Sequence, residues 1–221
     1  MASWNSGARQ DVIMKLHNKY YILRHGEALS NSRGVMSSWP EKFKNPLTEK
    51  GSAMIKKSAE QLKNLPLQAG KGIDLIFSSD LLRTKQTAEI VAKILNSRKF
   101  DKSSTTFKKI KVVLDKRLRE INFGVLNGRP ITDLNIDFSD ETKRIETSMK
   151  DGETYSQVSE RMWNFLQDLE EKYQGKNILI ISHECPLWIL ESKVQGMTIL
   201  EHLKIVPRDH RIHKGQVKQL N

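Results

Sequence analysis

Two short apolar runs in this chain break off directly into histidine, and that pattern restricts the possible folds more than any other feature. Tyr20, Tyr21, Ile22 and Leu23 run straight into Arg24-His25-Gly26, and Ile178 to Ile181 run into Ser182-His183. Four apolar residues in a row, closed by polar ones, read as a buried strand. A third run, Ile73 to Phe77, is closed by Ser78-Ser79-Asp80, and Arg83 follows in the first turn of a helical pattern. Apolar runs alternating with longer amphipathic segments indicate α/β architecture. In an open parallel sheet, ligands sit beyond the carboxyl ends of the strands. If these strands are parallel, His25, Arg83 and His183 converge there, beside helix N-termini that suit an anion.

The remaining segments fit this scheme. Thr48 reads as the N-cap of a helix with Ile55, Ala59 and Leu62 on its inner face. Ser79 or Asp80 can cap a helix facing inward through Ala88, Val91, Ala92 and Leu95. Lys111 to Leu114 read as a further strand by composition, whereas residues 127–151 follow neither period. Thr154 and Gln157 form a capping-box pattern opening the strongest helix, with Val158, Met162, Phe165, Leu169 and Tyr173 on one stripe. Pro186 suits a first helical turn and Gly196 a helix end. One domain is expected across residues 1–221, with 1–16 as an N-terminal extension and 202–221 as a basic tail able to add an edge strand.

Composition excludes several classes. The 221 residues carry a net charge of +11 and one cysteine, Cys185. A lone cysteine rules out an internal disulfide and any structural zinc site built from several cysteines of one chain. No apolar run approaches the roughly 20 residues a membrane helix needs. The first ten residues lack the apolar core of a secretory signal, and position 2 is Ala rather than the Gly that myristoylation needs. A cytoplasmic protein without a membrane partner is expected. The charge is uneven: residues 98–119 hold nine basic and two acidic groups, and 120–201 hold eight basic and 15 acidic. A basic excess attracts phosphorylated partners, but no nucleic-acid-binding motif accompanies it, so nucleic acid is not the expected partner.

Several chemistries can be set aside. A cysteine phosphatase needs an Arg six positions after its Cys, and position 191 is Glu. No P-loop, HExxH or EF-hand pattern occurs. His202, His210 and His213 lack the companions of a metal site and read as structural or surface residues. Cys185 reads as a packed thiol. By contrast, a strand-end Arg-His pair offers a fixed cation for phosphate and an imidazole able to attack phosphorus, with Gly26 permitting close backbone approach.

The run Tyr21-Ile22-Leu23-Arg24-His25-Gly26-Glu27 resembles the signature of the histidine phosphatase superfamily, phosphoglycerate-mutase-like branch 1. Further resemblances follow in the family's order: Asn31, the stretch from Asn45 to Gly51, Ser78 to Ala88 carrying the second arginine, Leu118 to Gly124 carrying a proton donor, Gly152-Glu153-Thr154, and Ile181-Ser182-His183. The resemblance implies a three-layer α/β/α sandwich with a mostly parallel central sheet. It implies His25 as a nucleophile forming a phosphohistidine, with Arg24, Arg83, His183 and Asn31 around the phosphoryl oxygens. Glu120 would protonate the leaving oxygen and then activate water. No cofactor and no metal are implied, and the partner would be a phosphorylated small molecule or phosphoprotein. The physics agrees, because phosphoryl transfer is mainly positioning and charge stabilisation.

Two readings compete with a phosphatase. A cofactor-dependent mutase shares the pocket, but such members carry a long insertion where Gly124 and Gly152 here stand only 28 positions apart. A basic phosphate-recognising module would not need a proton donor. Trp39, Lys42, Phe43 and Lys44 are candidates for contacting the rest of the substrate. Glu184 follows His183 where many members have glycine. It is expected to point outward, because a carboxylate facing the pocket repels phosphate and weighs against phosphatase activity.

Overall fold

The computed structural model describes residues 15–64, 72–97 and 109–221. In chain order the elements are β1 (Lys19–Arg24), α1 (Leu29–Ser32), α2 (Glu49–Asn64), β2 (Leu75–Ser78), α3 (Leu82–Asn96), β3 (Val112–Leu114), α4 (Ile131–Asp137), α5 (Tyr155–Lys172), β4 (Asn177–Ser182), α6 (Glu184–Val194), α7 (Ile199–Ile205) and β5 (Val217–Gln219). The strands form one sheet in the order β3-β2-β4-β1-β5. The first four are parallel, and β5 pairs antiparallel with β1 along the edge. The expected mostly parallel α/β sheet is therefore present, and the tail does supply an edge strand. The N-terminal extension lies largely outside the described residues, as does half of the basic stretch, residues 98–108.

The uninterrupted apolar runs are explained by cover on both faces. All six residues of β4 are buried. Ile178 and Ile180 pack with Val158, Met162 and Phe165 of α5 and Leu187 and Trp188 of α6. Leu179 and Ile181 pack on the other face with Ile55 of α2 and Ala88 and Val91 of α3. The same alternation divides Tyr20 and Ile22 from Tyr21 and Leu23 in β1. Each such buried aliphatic or aromatic side chain contributes about 1.5–3 kcal/mol relative to exposure. Thr154 opens α5 with the expected capping box.

Two local expectations are corrected. Neither Ser79 nor Asp80 caps α3; Leu81 holds that position. The Asp80 carboxylate is drawn away by Arg119, whose Nε and Nη2 both donate to it at 2.6 Å. The ambiguous segment 127–151 contains α4, which is held by tertiary contacts rather than by an apolar stripe: Val35 bridges Pro130, and Ile131 N–H donates to Gly34 O at 2.8 Å.

The close approach at Gly26 is to the backbone of Gly51. A Cβ there would meet Gly51 O at 2.5 Å, and a Cβ on Gly51 would meet Glu27 O at 2.0 Å. The loop after β1 thus lies directly on the first turn of α2. An ordinary Gly→Ala change in a helix gains up to about 1 kcal/mol. Gly51→Ala is expected to do the opposite and lose about 1–3 kcal/mol, because two backbones must part. Urea unfolding measures this, and a midpoint equal to or above that of the unaltered protein would contradict the packing.

Candidate active site

Strand register brings the site together. Leu23 pairs with Ile181 and Arg24 with Ser182, so both chains leave the sheet at the same level. His25 N–H then donates to Ser182 O at 3.1 Å, and Ser79 N–H to Ile181 O at 3.0 Å. The His25 and His183 rings meet edge to face with centroids 5.0 Å apart. Arg83 arrives from the first turn of α3, and its Nε donates to His25 Nε2 at 3.2 Å.

The hydrogen bonds define the His25 tautomer. Nδ1 lies 2.7 Å from Gly26 O and donates to it, since a carbonyl only accepts. Nε2 is then the unprotonated nitrogen, in agreement with its acceptance from Arg83. Burial, with Arg83 and Arg24 adding to it, holds the His25 pKa well below the usual histidine value. The ring stays neutral at neutral pH, as a nucleophile requires. His183 is likewise driven down, first by burial and then by Arg83 and His25.

Arg83 is 2% exposed, and burial lowers its pKa to about 10, which leaves it cationic. Its Nη2 donates to Ser37 O at 2.9 Å, and its Nη1 lies 3.3 Å from Glu41. Glu120 sits across the cavity, where burial of its carboxyl raises the pKa against the pull of Arg83 and the Ile121 N–H bond. Its backbone is braced from two sides. Trp39 Nε1 and Arg161 Nη2 donate to Glu120 O at 3.0 and 3.3 Å. Glu153 holds Arg161 at 2.9 Å and accepts Asn122 N–H at 2.8 Å. Asn31 Oδ1 accepts Ala28 N–H at 2.9 Å.

A cavity of about 100 Å³ is bordered by Arg24, His25, Asn31, Arg83 and Glu120. Five of the six expected residues therefore share one wall system. His183 is fully buried and packs behind His25, with Nε2 3.0 Å from Ser79 Oγ, rather than bordering the cavity. The lining also includes apolar Val35, Met36, Phe123 and Ile131 and the further arginines Arg144, Arg208 and Arg211. Cys185 also borders it, and burial pushes its thiol pKa up, so it remains a thiol.

The orientation of Glu184 is corrected. Its carboxylate borders the cavity and pairs with Arg24 Nη1 at 2.6 Å. The cause is positional: Glu184 opens α6 immediately after His183, beside an arginine whose charge it balances. Trp39, Lys42, Phe43 and Lys44 do not border the cavity. Asn127 takes hold of their loop, accepting Ser38 N–H at 2.9 Å and donating to Pro40 O at 2.8 Å, which presents Met36 and Ser37 instead. Lys42 and Lys44 are exposed. Sequence reasoning missed Arg208 and Arg211, whose only signal was the basic tail, and Glu41, which had none. Among the described residues no three His, Cys, Asp or Glu side chains are grouped to hold a metal ion. His202 is buried against Trp188, whereas His210 and His213 are exposed.

A five-stranded, mostly parallel α/β sheet carries two histidines and two arginines at its carboxyl edge. The chain belongs to the histidine phosphatase superfamily, branch 1, whose family model matches residues 20–214. GpmB of Escherichia fergusonii, named a probable phosphoglycerate mutase, is 33% identical over 182 residues, covering 80% of this chain and 74% of that protein. Bacillus stearothermophilus YhfR superposes with a TM-score of 0.69 at 24% identity, covering 90% of this chain and 89% of that one. The mycobacterial glucosyl-3-phosphoglycerate phosphatase Rv2419c gives 0.69 at 19%, covering 91% and 88%. No helix among the described residues is long and apolar enough to cross a membrane.

Three buried histidines make stability depend on pH. His25 and His183 lie well below the ordinary value of 6.5, and burial lowers His202 to about 4. Below pH 6.5 the unfolded chain takes up protons that the folded one refuses, so stability falls as pH falls. Glu120 and Glu41, whose pKa values burial raises, act in the opposite sense, but three histidines outnumber them between pH 6.5 and 5. The urea midpoint is expected to drop across that interval; a flat or rising profile would contradict this balance.

Proposed function

We propose that the protein is a metal-independent phosphomonoester hydrolase that works through a phosphohistidine on His25. The observation carrying this reading is the His25 tautomer: Nδ1–H is committed to Gly26 O, and Nε2 keeps its lone pair, which accepts from Arg83 Nε at 3.2 Å and is released to phosphorus when Arg83 turns to the phosphoryl oxygens. The superfamily match and the likeness to a glucosyl-3-phosphoglycerate phosphatase support it.

In the first step Nε2 attacks phosphorus, the bond from phosphorus to the ester oxygen breaks, and protonated Glu120 gives its proton to that oxygen. In the second step water attacks phosphorus, Glu120 takes a proton from the water, the P–N bond breaks, and Nε2 recovers its lone pair. Arg24 and Arg83 balance charge on the phosphoryl oxygens, a role that preorganised guanidiniums can fill. Asn31 adds a polar contact in this reading. His183 steadies the transferred group from behind His25 and reaches it only if a side chain shifts. Gly26 O stabilises the imidazole that becomes substituted at Nε2.

Glu184 is the observation that opposes this reading. It neutralises Arg24 and makes an incoming phosphoryl group compete for that guanidinium. Competition weakens binding without removing the nucleophile or the acid, so the hydrolase reading stands. The GpmB relative keeps phosphotransfer between positions of phosphoglycerate as the second reading. The short 124–152 connection favours entry of water.

His25→Ala should abolish phosphate release from phosphomonoesters, and EDTA should leave the unaltered protein active. Release by His25→Ala, or loss in EDTA, would end the assignment. Isomerisation of 3-phosphoglycerate, assayed in parallel, decides the second reading. Glu120→Gln should slow alkyl esters by about 10²–10⁴-fold and activated aryl esters far less. The rate of the unaltered enzyme should fall as pH rises through the elevated Glu120 pKa. That alkaline limb should vanish in Glu120→Gln; if it persists, another group donates the proton.

A further inference from the structure

Every arginine bordering the cavity already faces a carboxylate. Arg83 faces Glu41 at 3.3 Å, and Arg211 is held by both oxygens of Glu141 at 2.9 Å. Arg144 lies 3.9 Å from Glu141, and both Arg144 and Arg211 stack on buried rings, those of Tyr155 and Trp188. Arg24 and Arg208 share Glu184, at 2.6 and 3.9 Å. Glu41 and Glu141 stand behind the wall, whereas Glu184 itself borders the cavity, as does Glu120. Glu184 thus borders the same small cavity as the expected proton donor, and its charge adds to the rise of the Glu120 pKa.

We propose that Glu184 sets the charge class of the substrate, favouring phosphomonoesters whose leaving alcohol brings hydroxyl or ammonium donors and disfavouring those whose leaving alcohol brings a carboxylate. The proposal rests on the phosphomonoesterase reading above. A phosphoryl group seated on Arg24 displaces the Glu184 carboxylate, and the other arginine that Glu184 already faces is half-exposed Arg208, at 3.9 Å. Either placement keeps a negative charge against the leaving group. A carboxylate acts only as an acceptor, so it gains bonds from hydroxyl or ammonium groups and none from another carboxylate. Juxtaposed like charges in a partly desolvated site are strongly disfavoured. Arg144 and Arg211 share the single carboxylate of Glu141 and keep one net positive charge between them, but their faces are stacked on buried rings and Arg211 already spends both terminal nitrogens on Glu141, which limits what they offer a substrate carboxylate.

The test uses two esters of one skeleton. Glycerol 3-phosphate and 3-phosphoglycerate differ in a terminal hydroxymethyl against a carboxylate. Dissociation constants are measured by calorimetry on full-length His25→Ala, which cannot turn either over, with and without Glu184→Gln. Glycerol 3-phosphate should bind at least about tenfold tighter when Glu184 is present. Glu184→Gln should bring the two within about threefold, mainly by tightening 3-phosphoglycerate. Equal or tighter binding of 3-phosphoglycerate to the protein bearing Glu184, an equal shift of both esters in Glu184→Gln, or binding of neither ester overturns the proposal. Turnover is assayed separately with His25 in place. If neither ester is hydrolysed, the hydrolase reading loses its support while the ratio of dissociation constants still decides the role of Glu184.

Discussion

Arg24 is paired with Ser182, and every feature of the site follows from that register. A shift of one residue between β1 and β4 would exchange the sheet faces of Tyr20, Tyr21, Ile22 and Leu23 and bury the wrong set. The two faces are packed against different helices, so the register has no competitor at comparable cost. With it in place, His25 and His183 leave the sheet one residue beyond the last pair, and their rings meet at 5.0 Å. β2 ends beside β4 at Ser78 and Ile181, which delivers α3 and Arg83 to the same edge. Backbone geometry thus positions the chemistry before any side chain contributes.

Charge then has to be managed inside this cup. Arg83 is almost fully buried, and a buried guanidinium without partners would cost several kcal/mol. Glu41, Ser37 O and His25 Nε2 meet that demand. The same crowding of cations helps keep both histidines neutral, while burial raises the Glu120 pKa toward the protonated form. One environment therefore pushes a base toward its unprotonated form and an acid toward its protonated form on the border of one cavity, the division of roles that acid and nucleophilic catalysis needs. Glu184 belongs to the same balance, as the counter-ion of the more exposed Arg24.

Much of this could be read from the chain. Apolar runs ending in His25 and His183 announced the parallel edge, Thr154 and Gln157 announced α5, and the tail announced β5. These signals are local, because strand period, capping and turn chemistry act over a few residues. What could not be read depends on distant partners. Asp80 looked like a cap until Arg119, 39 positions away, claimed it. Glu184 looked outward-facing because its repulsion by phosphate was considered without the attraction of Arg24. Trp39 looked like a substrate contact, but its indole N–H is spent on Glu120 O. Arg208 and Arg211 reach the cavity from a tail whose basic character suggested only a solvated surface. α4 has no strong period of its own and is held by Gly34 and Val35.

The central claim is that His25 attacks through Nε2 while Gly26 O holds Nδ1–H. Rapid quenching of the enzyme with a phosphomonoester, followed by phosphorus-31 NMR and peptide mapping under alkaline conditions, reads out the phosphorylated atom. Phosphorus bonded to His25 Nε2 is the predicted result. Phosphorus on Nδ1, on His183 or on any other residue, or steady phosphate release with no phosphorylated protein at any quench time, would contradict it.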